Sequence, residues 1–198
     1  MDFETLYAFT ISSLVLTISP GPDIIYVISQ SVINGKKSAI MVSLGLTTGL
    51  LIHTFFVSLG LSLIILENKE YLIFLKILSV LYFLYLIIKV FINRNNYLNI
   101  EEKNTNKGQF FKGLVMNLIN PKVSLFFIAL FPGFLFHDQL SDQSQFFILG
   151  LIFWFQAIIV FLLVSFYGSK LNFFKSTKTK FYIIEIFIYI LLIYWMIK

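Results

Sequence analysis

Ser19-Pro20-Gly21-Pro22-Asp23 lies inside a long apolar run from Phe3 to Ile33. Its two prolines remove two helical N–H donors, and Gly21 between them has no side chain to hold a helical shape. In a run this apolar the surrounding solvent is lipid, where an unmade backbone hydrogen bond costs several kcal/mol. A break is tolerated there only if protein or a polar cavity receives the freed groups. Asp23 follows at once, and an acid at that depth costs about 2.5–3.5 kcal/mol on insertion scales. A broken helix beside a buried carboxylate is a candidate binding site. The alternative is a kink whose acid merely pairs with a neighbour.

The rest of the chain agrees that lipid is the solvent. Of its 198 residues 58% are hydrophobic and 13% charged, and the mean hydropathy is +0.87. These values exclude a soluble domain and point to a polytopic all-α membrane protein forming one domain. The longest polar stretch, Asn93 to Lys107, is too short for a second globular unit. The absence of cysteine excludes disulfides, thiolate metal sites and cysteine nucleophiles. No cofactor or resident metal is expected. The 24 phenylalanines carry no functional weight at this stage. Met1-Asp2-Phe3-Glu4 is acidic where a secretory signal is basic, so the first span is expected to stay in the protein.

Six apolar spans are legible: Phe3–Ile33, Ser38–Leu66, Tyr71–Ile92, Phe110–Phe136, Phe146–Tyr167 and Phe181–Ile197. Each reaches the roughly 17 residues that a bilayer crossing needs. Connections fall at 34–37, 67–70, 93–109, 137–145 and 168–180, and alternate ones share a side. Lys36, Lys37, Lys89, Arg94, Lys103, Lys107, Lys112, Lys170, Lys175, Lys178 and Lys180 all fall on one side. The other carries Lys69 and Lys198 against Asp2, Glu4, Glu67, Glu70, Asp138 and Asp142. The net charge of +5 therefore reports orientation in a cytoplasmic membrane, not nucleic-acid binding. Both termini are expected on the extracytoplasmic side.

A second break stands at Asn120-Pro121-Lys122, within the fourth span. Again a proline frees a carbonyl, and again an ionisable side chain follows it. Each break opens a block of three spans, so the two blocks must face opposite ways across the membrane. That is the pattern of a 3+3 inverted-topology repeat, with broken helices from each half meeting near the midplane. The first repeat then covers about 1–92, a cytoplasmic loop 93–109 and the second repeat 110–198. Asp23 can hold an ammonium or a proton, and Lys122 a carboxylate, with Asn120 beside it. Facing one cavity, they match a zwitterion; facing each other, they form an ion pair that holds the halves together.

Gly45, Gly49 and His53 share one face of the second span, where small residues let another helix approach. They are candidate lining residues; the blander reading is helix packing with His53 hydrogen-bonded across it. The same face could serve a homodimer. Gln156 in span five is a further candidate lining residue. Lys76 is expected to snorkel outward, Glu185 to lie at the interface, and Trp154 and Trp195 to pack or anchor there. Phe131-Pro132-Gly133-Phe134 is expected to end the fourth helix.

These residues, from Ser19-Pro20-Gly21-Pro22-Asp23 through Gly45/Gly49, Phe111-Lys112-Gly113 and Asn117-Leu118-Ile119-Asn120-Pro121-Lys122 to Phe131-Pro132-Gly133-Phe134, resemble the LysE/RhtB family of amino-acid exporters. The resemblance covers essentially the whole chain, and departs from the family at Gly133, where glutamine is usual. It implies proton-driven efflux of amino acids or close analogues, with Pro20, Gly21, Pro22, Asp23, Asn120, Pro121 and Lys122 as the motif residues. Three other classes compete with an exporter of amino acids. A metal-cation exporter would have to tolerate Lys122 among few oxygen ligands. An intramembrane enzyme would lack a carboxylate dyad, and its His53 a serine partner. A non-catalytic assembly subunit would tolerate changes at both ionisable positions.

Overall fold

The computed structural model describes residues 2–19, 21–61, 69–92, 108–168 and 178–197, and every regular element among them is helical. Helix α1 (Phe3–Ile18) and α2 (Pro22–Ile33) are bent by 50° about the first break. α3 (Gly35–Phe56) runs on into a π-helical turn, Val57–Leu61. α4 spans Lys69–Ile92 and α5 Gln109–Ile119. After the second break, α6 (Pro121–Leu125) passes into a π-helical turn (Phe126–Leu130) and a 3-10 turn (Phe131–Phe134). α7 (Asp142–Tyr167) and α8 (Lys178–Ile197) complete the chain.

By length and composition, Gly35–Gly60 and Asp142–Tyr167 can cross a membrane, and the bent pair α1–α2 makes a third span if taken as one. The outer surface fits lipid rather than water. On α7, Phe147, Leu151, Phe155, Ile159 and Leu163 recur every fourth residue and are all exposed, while Leu149, Phe153, Ala157 and Phe161 point inward. In water such an apolar stripe would drive aggregation; in a bilayer it meets its own kind.

Two connections differ from the sequence reading. The turn expected at Asn34-Gly35-Lys36-Lys37 is shorter, because Gly35 takes φ +79° and α3 begins at once. The lysines ride exposed on its first turn. α7 likewise starts four residues before the expected Phe146, capped where Ser141 Oγ accepts the Ser144 N–H. Gln145 then clamps the preceding loop, accepting from the Phe136 and His137 N–H groups and donating to the His137 and Leu140 carbonyls. The Phe131–Phe134 stretch does end its helix, with Leu135 extended behind it.

Packing divides into two devices. Around the π-helical turn an aromatic cluster joins Phe9 of α1 to Phe126, Phe127, Phe131 and Phe134, and these to Phe146 and Phe153 of α7. Part of the phenylalanine excess is thus core. The other device is backbone contact between α3 and α5. A Cβ built on Gly45 would strike the Phe110 carbonyl, and one on Gly113 the Val42 carbonyl. The Gly45/Gly49 face is therefore spent inside the protomer, which leaves no room there for a second copy.

Candidate functional site

Both breaks are built alike. At each break the residue before the helix-opening proline is extended, as the clash with the proline ring favours: Gly21 at φ −143°, ψ 179° and Asn120 at φ −69°, ψ 106°. Each then serves as N-cap, with Pro22 or Pro121 at the first helical position, where a missing N–H costs nothing. Asn120 adds a side-chain cap, its Oδ1 accepting from the Lys122 N–H at 3.1 Å. The ionisable residues, Asp23 and Lys122, come next in each case. Pro20 lies outside the described residues. So do the side chains of Lys76, Glu185 and Trp195.

At each break one free carbonyl is met by a side chain from the other half of the chain. Lys122 reaches 103 residues back in sequence and donates from Nζ to the Ser19 carbonyl at 3.3 Å, with its ammonium 5.6 Å from the centre of the Tyr189 ring. Pro121 cannot donate to the Asn117 carbonyl as a helical residue would. That oxygen instead accepts from the Asn120 N–H at 3.1 Å and from His53 Nε2 at 3.4 Å. Because a carbonyl can only accept, Nε2 must carry the proton. The His53 ring is held by stacking on Phe127 at 5.4 Å. This is the cross-helix packing role, at one remove from the cavity.

Leu16, Thr17, Ser19, Gly21, Asp23 and Ile24 from the first break line a buried cavity of ≈ 30 Å³ with Asn117, Asn120, Lys122 and Val123 from the second. Leu50 of α3 and Phe153, Ala157 and Phe161 of α7 close it. Such a volume holds about two waters. Asp23 and Lys122 thus share one cavity, yet no direct ion pair joins them among the described residues. Asn117 and Asn120 neighbour the Asp23 carboxylate, and Lys122 is near enough for each charge to feel the other.

Four candidate lining residues stand elsewhere. Gly45, Gly49 and His53 pack α3 against α5. Gln156 accepts from Ser13 Oγ at 2.8 Å and ties α7 to α1. Conversely, Ser19 and Asn117 lie on the cavity, though neither was singled out as a site residue in the sequence. A usable signal existed for Asn117, since it stands four residues before Pro121 and so loses its helical partner. Gly49 makes room for it: a Cβ there would come within 2.5 Å of Asn117 Oδ1.

The family model for LysE type translocators matches residues 14–196. A homoserine/homoserine lactone efflux protein of Salmonella typhimurium is 32% identical over 152 residues, covering 76% of this chain and 73% of that protein. A membrane protein of Bacillus subtilis is 28% identical over 172 residues, covering 79% and 82%. One of Vibrio cholerae is 26% identical over 154 residues, covering 76% and 74%. No solved structure matches the chain significantly. With a family match from the middle of α1 to the end of α8, and two broken helices meeting at one buried polar cavity, the chain belongs to the LysE type translocator family and is a membrane transport protein, not an enzyme.

Proposed function

We propose that this protein exports small amino acids or their close analogues from the cytoplasm by proton antiport, with alternating access at the cavity between the two breaks. The observation that carries this reading is the presence of Asp23 and Lys122 on one buried cavity without a direct ion pair. Two opposite charges held apart in an apolar interior invite a zwitterion to bridge them. In this mechanism the substrate ammonium goes to Asp23. Its carboxylate draws the Lys122 amine off the Ser19 carbonyl, whose 3.3 Å hydrogen bond is long. Asp23 carries a proton on the return stroke and gives it up when the next ammonium arrives. The cavity must widen to take a whole amino acid, so the two halves move relative to each other as inverted repeats of three spans each, with both termini outside the cytoplasm.

The Salmonella relative's name covers homoserine and its lactone. These share the ammonium and differ at the carboxyl, so an exporter of both would depend more on the ammonium site than on the carboxylate site. For this chain the same ranking puts Asp23 ahead of Lys122. Efflux from cells preloaded with a panel of amino acids, L-homoserine among them, tests the reading. One or more should leave faster with wild type. Loss of a charge-assisted contact at Asp23→Asn should slow that efflux by roughly 10–100-fold, and Lys122→Met should slow the free acid more than the lactone. Efflux of no amino acid from a correctly inserted preparation would end it.

A further inference from the structure

Hydroxyls buried in these helices ordinarily turn back onto a carbonyl four residues earlier: Thr17 onto Ser13, Thr47 onto Ser43, Thr54 onto Leu50 and Ser165 onto Phe161. Ser19 departs from that habit. It ends α1 with ψ 124°, its own N–H already takes the Val15 carbonyl, and its Oγ has no hydrogen-bond partner. Two more buried side-chain oxygens are without a partner, Asp23 Oδ1 and Asn117 Oδ1. The three residues are 2%, 9% and 1% exposed, and all three line the one cavity between the breaks.

Buried oxygens without donors are costly, and chains avoid them unless something else supplies the hydrogen. Here three acceptors gather at a site of ≈ 30 Å³, too small for an amino acid but ample for its amino group. The carboxylate supplies the charge, and two neutral oxygens bring the acceptor count to three. A primary ammonium has three N–H donors, as Lys122 illustrates from the protein's own side. Each N-methyl group would remove one donor and add bulk where the walls are Leu16, Leu50 and Phe161.

We propose that Ser19 Oγ and Asn117 Oδ1 join Asp23 Oδ1 as the acceptors of one primary ammonium group, so that this exporter selects primary amines against N-methylated ones. This deepens the export reading and rests on it. Gly49 belongs to the same device as a positioning residue, because only a glycine leaves the Asn117 carboxamide its place.

The test measures binding and efflux separately on the purified full chain. Binding is read as thermal stabilisation in detergent by L-homoserine, N-methyl-L-homoserine and the N,N,N-trimethyl analogue; efflux is read in proteoliposomes with the same three. Wild type should be stabilised by the primary amine, and by the trimethyl compound not at all. Ser19→Ala should raise the half-stabilising homoserine concentration roughly tenfold, as loss of one hydrogen bond to a charged group implies. Ser19→Thr, which keeps the hydroxyl, should restore it. Equal stabilisation by all three compounds overturns the inference, and efflux in that case leaves the export reading standing. Graded binding without efflux supports the ammonium site and removes the export reading. Stabilisation by sodium ion with no discrimination among the amines assigns the three oxygens to a metal ion instead, and also overturns it.

Discussion

At the scale of single residues, polar groups beside the breaks find partners across the two halves of the chain, except for the three oxygens on the cavity. His53 is the clearest case, because its polar contact among the described residues is the carbonyl that Pro121 leaves free. His53→Ala should cost about 1 kcal/mol of stability, read as an earlier thermal unfolding in detergent. Gln in its place, which can also donate, should recover part of the loss. At the N-terminal end of α1, Asp2 accepts from the Glu4 and Thr5 N–H groups and from the Thr5 hydroxyl. The Thr5 hydroxyl chiefly holds its carboxyl below the ordinary value of 3.8. The folded form therefore favours the ionised cap. Its contribution is present above the unfolded value of 3.8 and is lost as pH falls through the lower folded value. Amide exchange in the first turn of α1 should accelerate over that acid range, and Asp2→Asn should abolish the dependence. Asp23, Lys122 and Asn120, which line one cavity, were legible as candidates because a charge beside a proline in an apolar run has few bland explanations. Ser19 and Asn117 were not. A serine or asparagine in a helix usually satisfies itself, and their unpartnered oxygens emerge only when the two breaks are set side by side.

At the scale of elements, glycine spacing and proline spacing do different work. Gly45 of α3 packs on the Phe110 carbonyl, Gly49 on the Asn117 carboxamide, and Gly113 of α5 on the Val42 carbonyl, so each added methyl strikes main chain or a buried carboxamide. Gly45→Ala or Gly113→Ala should destabilise the protein by about 1–3 kcal/mol, measured by thermal unfolding of the purified variants. Gly133, where a Cβ would meet nothing within 4 Å, should accept alanine without loss. The sequence showed which residues shared the α3 face but left lining, packing and dimer contact open, since spacing reveals a face and not its partner. It also overstated the connections. Gly35 in the left-handed region turns the chain within a residue, and polar Lys36 and Lys37 ride exposed on the first helical turn, where their solvation looks like a loop. The breaks themselves were read correctly, because a proline's missing donor needs no tertiary context.

At the scale of the whole molecule, an apolar outer surface surrounds a narrow polar seam between two broken helices. Class and order of elements followed from composition and apolar runs. The six-span count and the inverted repeat rest on charge asymmetry and placement of the breaks. A chain without cysteine makes orientation direct to test: single cysteines at Lys37 and at Asp138 should react with an impermeant thiol reagent from opposite faces, Asp138→Cys from outside the cell. Labelling of both from one face would break the inverted arrangement. In the proposed mechanism the seam carries the transport, and its central residue is Asp23, which serves ammonium and proton in turn. The most direct measurement is release of L-homoserine from preloaded proteoliposomes, with and without an imposed proton gradient, for wild type and Asp23→Asn. Wild type should release it faster when protons can flow the other way, and Asp23→Asn, folded to the same unfolding temperature, should release it roughly 10–100-fold more slowly and lose the dependence on the gradient. Gradient-driven release that survives in Asp23→Asn would contradict the role of this cavity.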